Sequence, residues 1–199
     1  MCGRLTQPSA EHLGEDMDLF FNRPAVMGRL ATHGPNEDVV VTPGKVINVI
    51  LEAGDDSSIT VTSMHWGYPS GEEKNPLWYN ARIETADVKP TWKEDYAYRR
   101  CLIPVSTFTE GDVTFQAFDD TPMFMAGVFT RQSHRVGEIN FRDVSMLTKP
   151  ALGMIKNYSD RAPVICPTQQ GLDWLRRDSI PNAIRTSVLA HRPRLIVVG

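Results

Sequence analysis

The chain has no long apolar run, no excess of basic charge and almost no cysteine. Its 199 residues carry 21 Lys and Arg against 24 Asp and Glu, a net charge of −3 at pH 7. That balance excludes the global basic field that drives strong nonspecific binding to duplex nucleic acid, so any nucleic-acid site has to be a local cleft. The first thirty residues contain no sustained apolar segment, which argues against a secretory leader, a lipoprotein leader and a membrane span. Cys2, Cys101 and Cys166 are odd in number, far apart and without a CxxC or Cys/His cluster, so neither a disulfide framework nor a structural zinc site is expected. The expectation is a cytoplasmic protein that needs no metal and no cofactor. Internal repeats and low-complexity tracts are also missing, and the Gly and Pro residues are spread evenly instead of gathering in a linker. One domain over residues 1–199 is expected.

What is present is mostly extended chain. Ile59 to Met64 and Val113 to Ala117 alternate apolar and polar residues, the period-two pattern of half-buried strands. Val46 to Glu52, Cys101 to Phe108, Met123 to Thr130, Ile139 to Leu147 and Leu195 to Val198 are further strand candidates. Helices are fewer. One is expected from Thr91, with Glu94 completing a capping box, one from Thr168 with Leu172 and Leu175 on one face, and one over Ser9 to Phe20. The fold class that follows is α+β, a single domain with a largely antiparallel, barrel-like sheet flanked by a few helices.

The second residue is a cysteine. Once the initiator methionine is removed, Cys2 carries an α-amine that titrates near ~8 beside a thiol that titrates near ~8.5, so both are partly unprotonated at neutral pH. A 1,2-aminothiol captures aldehydes. The amine forms an imine, and the thiol then closes on the imine carbon as a five-membered thiazolidine. Cys101 and Cys166 sit in apolar runs and read as small core residues.

Five stretches stand in order: MCGR at Met1 to Arg4, Trp66-Gly67, NARIET from Asn80 to Thr85, RRCLIP from Arg99 to Pro104 leading to Glu110, and DRAPVI from Asp160 to Ile165. In this order they resemble the SRAP (SOS-response-associated peptidase) family, whose members crosslink themselves to abasic sites in single-stranded DNA. Pro43, Ala126 to Phe129 and Leu172 to Leu175 are similar to lesser elements of the same family. The resemblance implies catalytic roles for Cys2, for Glu110 as proton acceptor and for Asn80, which holds the N-terminal residue and the sugar phosphate. It implies DNA contacts through Arg82, through Trp66 as a stacking platform, and through Arg99, Arg100 and Arg161. The implied partner is single-stranded DNA containing abasic sites, bound by a monomer with no membrane association.

The departures from the family pattern are specific. Ser159 stands at the family's catalytic histidine, and a hydroxyl does not titrate near neutrality as imidazole does. His65 is the one nearby imidazole that offers a substitute if it faces the cleft. Thr107, Thr109 and Gly111 replace residues usually found around the glutamate, and Trp78 and Tyr79 stand where the family usually carries smaller aliphatic residues. Three functions therefore compete: covalent capture of abasic single-stranded DNA, a noncatalytic single-strand binding module, and a thiol autopeptidase of the N-terminal-nucleophile type. Whether the chain is an enzyme stays open at this point.

Overall fold

The computed structural model describes residues 2–9, 11–13, 21, 25–27, 37–53, 58–74, 76–119, 123–176, 178–179 and 181–198. Five strands close into a barrel: Val46–Glu52, Ile59–Trp66, Arg100–Val105, Met123–Val136 and Ile139–Pro150. Four of the joins are antiparallel. The fifth is parallel and pairs Asp143 with His65 and Val144 with Trp66, so Ile139–Pro150 meets Ile59–Trp66 and closes the barrel. A second sheet of five strands packs beside it in the order Leu195–Val198, Val113–Ala117, Thr107–Glu110, Arg4–Gln7, Val39–Val41.

The barrel strands are apolar on both faces, and period-two alternation splits their side chains between two cores. Ile47, Val49, Ile103 and Met146 join Leu5, Phe108 and Phe115 of the second sheet. Their neighbours Ile50, Leu102 and Leu147 join Tyr96, Trp174 and Val188 of the helices. Each strand is thus a wall between two layers. All six residues of Arg100–Val105 are buried as a result. Gly127 belongs to this wall, because a Cβ there would meet the Cys101 sulfur at 2.8 Å.

The expected strands are present, Val46–Glu52, Val113–Ala117 and Leu195–Val198 with their expected ends and the others with shifted ones. Cys101 to Phe108 is broken at Ser106 into a barrel strand and a strand of the second sheet. Met123–Val136 runs past its expected end into a ribbon with Ile139–Pro150, irregular between Phe129 and Ser133. The helix expected from Thr91 is Lys93–Tyr98, and its N-cap is Trp92 with no side-chain cap. Glu94 pairs with Arg99 instead, at 2.9 Å, so the capping box does not form. The helix Thr168–Leu175 starts where expected and buries Gly171, Trp174 and Leu175. Pro181–Ala190 is a helix that periodicity did not suggest; among its residues only Val188 is fully buried. The helix expected over Ser9 to Phe20 falls largely outside the described residues, although Glu11 to Leu13 are helical and Ser9 Oγ accepts the His12 N–H at 3.1 Å.

Candidate active site

The strand Arg4–Gln7 pairs antiparallel with Thr107–Glu110, Arg4 opposite Thr109 and Leu5 opposite Phe108. That register carries the start of the chain alongside Glu110. The backbone N–H of Cys2 and the hydroxyl of Ser159 both face the Glu110 carboxylate. Burial raises the pKa of Glu110 above the ordinary carboxylate range, and the chain's terminal amine, Ser159 and the Cys2 N–H only partly offset the shift. The nitrogen that faces Glu110 is the atom that becomes the α-amine when Met1 is removed.

Asn80 approaches from the other side. Its strand, Asn80–Arg82, pairs parallel with Ile139–Pro150, Asn80 opposite Met146. Asn80 Nδ2 donates to the Cys2 carbonyl at 2.9 Å. Cys2 is therefore placed by its backbone, its C=O on Asn80 and its N–H facing Glu110. Its thiol has no exposure, donates weakly to the Arg4 carbonyl at 3.6 Å and accepts the Thr109 N–H. Burial first, and the Glu110 carboxylate second, push the thiol pKa well above its usual range. The sulfur is a neutral thiol at physiological pH.

Ser159 follows the short 3-10 turn Gly153–Asn157; its N–H donates to Ile155 O at 3.0 Å and its Oγ accepts the Arg161 N–H at 3.2 Å. Gly111 lets this turn close on the end of Thr107–Glu110. It adopts φ +60°, and a Cβ there would lie 3.3 Å from the Tyr158 carbonyl. Cys2, Asn80, Glu110 and Ser159, distant in sequence, thus meet at one point. Two clefts flank it. One, of about 370 Å³, is lined by Gly3, Arg4, Thr42 and Thr109. The other, of about 500 Å³, is lined by Trp78, Asn80, Arg82, Lys89 and Trp92.

The positions expected to contact DNA separate sharply. Arg82 is exposed on the rim of the larger cleft. Trp66 is not a platform: it has no exposure, its indole N–H donates to Tyr79 O at 3.0 Å, and its ring meets Tyr79 edge-on. Arg100 is also buried. Its guanidinium donates to the carbonyls of Tyr96, Ala97, Trp174 and Arg176 and to Ser179 Oγ, tying together the ends of two helices. Arg99 is paired with Glu94 and Asp95. Arg161 grips both carboxylate oxygens of Glu84 and the Thr148 carbonyl, which fixes the Ser159 turn against the NARIET segment. His65 Nδ1 lies 2.9 Å from Asp143 Oδ1 and 3.1 Å from Gly67 O; it belongs to the barrel closure and lines neither cleft. Arg4 and Lys89, both exposed and each bordering a cleft, were not singled out from sequence. Arg4 lies inside the MCGR motif, which was the available signal. Among the described residues no group of three or more His, Cys, Asp or Glu side chains is arranged to hold a metal, and no helix is long and apolar enough to cross a membrane.

The sequence profile of the SOS response associated peptidase (SRAP) family matches residues 1–195. The abasic site processing protein YoaM of Bacillus subtilis is 24% identical over 96% of this chain and 86% of its own length. The abasic site processing protein YedK of Escherichia coli is 25% identical over 89% of this chain and 81% of its own. Among solved structures, a protein from Bordetella bronchiseptica superposes with a TM-score of 0.74 at 22% identity, covering 100% of both chains. One from Bacteroides thetaiotaomicron superposes with a TM-score of 0.71 at 17% identity, covering 100% of this chain and 92% of that one.

Proposed function

The chain belongs to the SRAP family, and on that premise we propose that it processes abasic sites in DNA by capturing the sugar aldehyde of a single strand covalently on Cys2. The observation that carries this reading is the buried Glu110 carboxylate facing the Cys2 nitrogen.

With Met1 removed, the Cys2 amine adds to the aldehyde carbon of the ring-opened sugar, and Glu110 takes the proton the nitrogen loses. The protonated Glu110 returns that proton to the alkoxide oxygen, giving a carbinolamine, and the second nitrogen proton passes through the same carboxylate to the hydroxyl as water leaves, giving an imine. The thiol sulfur then adds to the imine carbon while its proton passes to the nitrogen. The product is a thiazolidine, with no change of oxidation state. A carboxylic acid whose pKa is raised by burial suits both proton transfers better than an ordinary glutamate. Asn80 holds the Cys2 carbonyl and so fixes the direction of the amine. Ser159 faces Glu110 without titrating, so its hydroxyl orients the carboxylate and leaves ring opening of the sugar without a dedicated acid.

The buried, protonated thiol argues against the autopeptidase reading, which needs a ready thiolate. The noncatalytic binding reading is favoured by one observation, the serine at the family's histidine position. The two are separated by incubating processed protein with abasic single-stranded DNA. Covalent capture yields a species stable to heat and detergent, with duplex DNA reacting far less, and Cys2→Ala gives an adduct that survives only after borohydride reduction. An unreduced, heat-stable crosslink of equal yield from Cys2→Ala overturns the aminothiol mechanism; no crosslink at all from the processed wild type favours the binding module.

A further inference from the structure

The parallel join that closes the barrel is two residue pairs long, Asp143 with His65 and Val144 with Trp66. It falls where the neighbouring ladder is irregular. Met123–Val136 pairs Phe129 with Val144 and then Ser133 with Arg142, so Asp143 faces the irregularity, and its N–H donates to Thr130 Oγ1 at 3.0 Å. Backbone pairing alone fixes the register weakly over so short a stretch, and side chains add to it. His65 Nδ1 lies 2.9 Å from Asp143 Oδ1 and 3.1 Å from Gly67 O; both are acceptors, so the nitrogen carries a proton that they share. The His65 and Asp143 side chains are 8% and 6% exposed, which shields the bond from water.

From this contact the structure leads to Cys2. The strand Ile139–Pro150 sets Asp143 against His65 and, three residues on, Met146 against Asn80, a step of about 10 Å along a strand. Tyr79 ties the two places together, because its carbonyl accepts both the Trp66 indole N–H and the Met146 N–H at 3.0 Å. Asn80, the next residue, holds the Cys2 carbonyl at 2.9 Å.

We infer that His65 is a positioning residue for Asn80 and, through it, for the Cys2 nitrogen. By pinning Asp143 and Gly67 it fixes the register of Ile139–Pro150 against Trp66 and Tyr79, and that register places Asn80. The inference rests on the reading of Cys2 as the capturing group. His65 lines neither cleft, so it does not stand in for the imidazole that Ser159 replaces and exchanges no proton with the sugar. Its contribution is geometric. A misplacement of about 1 Å at reacting atoms costs up to ~10²-fold in rate, even when the residue responsible is remote from the chemistry.

The test uses the full chain processed to begin at Cys2 and three readouts per folded molecule. These are the single-turnover rate of crosslinking to an abasic single strand, the affinity for the undamaged strand, and the NMR signal of the Asn80 side-chain amide, which reports its bond to Cys2 without any crosslink. His65→Leu should slow crosslinking by up to ~10²-fold, leave the affinity unchanged and shift the Asn80 signal. Asp143→Ala, which removes the other half of the pair, should do the same and serves if His65→Leu fails to fold. His65→Asn, whose amide Nδ2 stands near the place of imidazole Nδ1 and donates to both acceptors, should restore rate and signal. In an Asn80→Ala background His65→Leu should slow the reaction no further, since residues that act in series are not additive. A wild-type rate in folded His65→Leu overturns the inference, as does a further loss in the double variant, which would place the effect of His65 outside Asn80. If the wild type forms no crosslink, the capture reading falls. The Asn80 signal then decides alone: a shift in His65→Leu that His65→Asn reverses supports the positioning role, and an unmoved signal overturns it.

Discussion

Arg82 in NARIET and Arg100 in RRCLIP are matched features of the sequence, yet the fold uses them in opposite ways. Arg82 is exposed at the mouth of the cleft beside Asn80, and Arg100 is buried at the meeting of two helices, its donors aimed at four carbonyls and a hydroxyl. A buried guanidinium with its donors committed is a structural clamp; an exposed one beside a cleft is free to meet a phosphate. The difference teaches that a motif marks a segment that builds the site, and that burial decides which of its side chains work there. Trp66 and Trp78 repeat the lesson on aromatic residues.

The contrast breaks most visibly under mutation of the buried members. Trp66→Ala should cost about 3–5 kcal/mol of stability through the cavity it leaves between barrel and second sheet. Arg100→Met should cost a similar ~3–5 kcal/mol, because four helix-end carbonyls lose a charged donor in a dry site. Both are read from denaturant midpoints. DNA affinity per folded molecule should stay that of the wild type in Arg100→Met, and a selective loss of binding with unchanged stability would return Arg100 to the interface.

At the site itself the expected effects are kinetic. Glu110→Gln removes the carboxylate from the Cys2 nitrogen and should slow crosslinking by ~10²–10⁴-fold with little change in DNA affinity. The pH profile follows from the sign of the shift. Burial raises the Glu110 pKa, so the rate should climb with pH through a midpoint above that of an ordinary glutamate, as the carboxylate becomes able to take the amine proton. Glu110→Gln should erase that limb, measured from initial rates across a buffer series. Ser159→His should accelerate both formation of the crosslink and its release onto competitor abasic DNA, by up to ~10²-fold if the imidazole supplies the missing general acid. Identical rates would place Ser159 outside the chemistry.

The smallest effect sharpens the comparison from the exposed side. Arg82→Ala should leave stability within about ±0.5 kcal/mol, as surface substitutions do. It should weaken single-strand binding at every sequence and reduce the slope of log affinity against log salt by about 0.7, the share of one phosphate contact. An unchanged salt slope would remove Arg82 from the strand's path.

Much of the framework was legible because strand alternation and helix faces are local patterns: Val46–Glu52, Val113–Ala117 and Leu195–Val198 appear with their expected ends. The barrel closure was not, since the parallel pairing of Asp143 with His65 joins distant strands and leaves no periodic trace. The capping box at Thr91 failed for a local reason, as Glu94 finds Arg99 at the end of the same helix and the helix starts at Lys93. The meeting of Cys2, Asn80 and Glu110 was legible only through family resemblance, since no spacing rule links residues brought together by sheet register. That Arg100 and Trp66 are structural was hidden for the same reason: side-chain burial depends on neighbours that sequence order does not reveal.

The central claim is that the Cys2 nitrogen facing Glu110 becomes the reacting group once Met1 is gone. Intact-mass measurement of the protein after reaction with an abasic single strand tests it most directly, comparing protein processed to begin at Cys2 with protein that retains Met1. The processed form should gain the mass of the strand less one water without any reductant, and the Met1-bearing form, whose Cys2 nitrogen is an amide, should gain nothing. Equal adducts on both forms would place the attacking atom elsewhere and contradict the account.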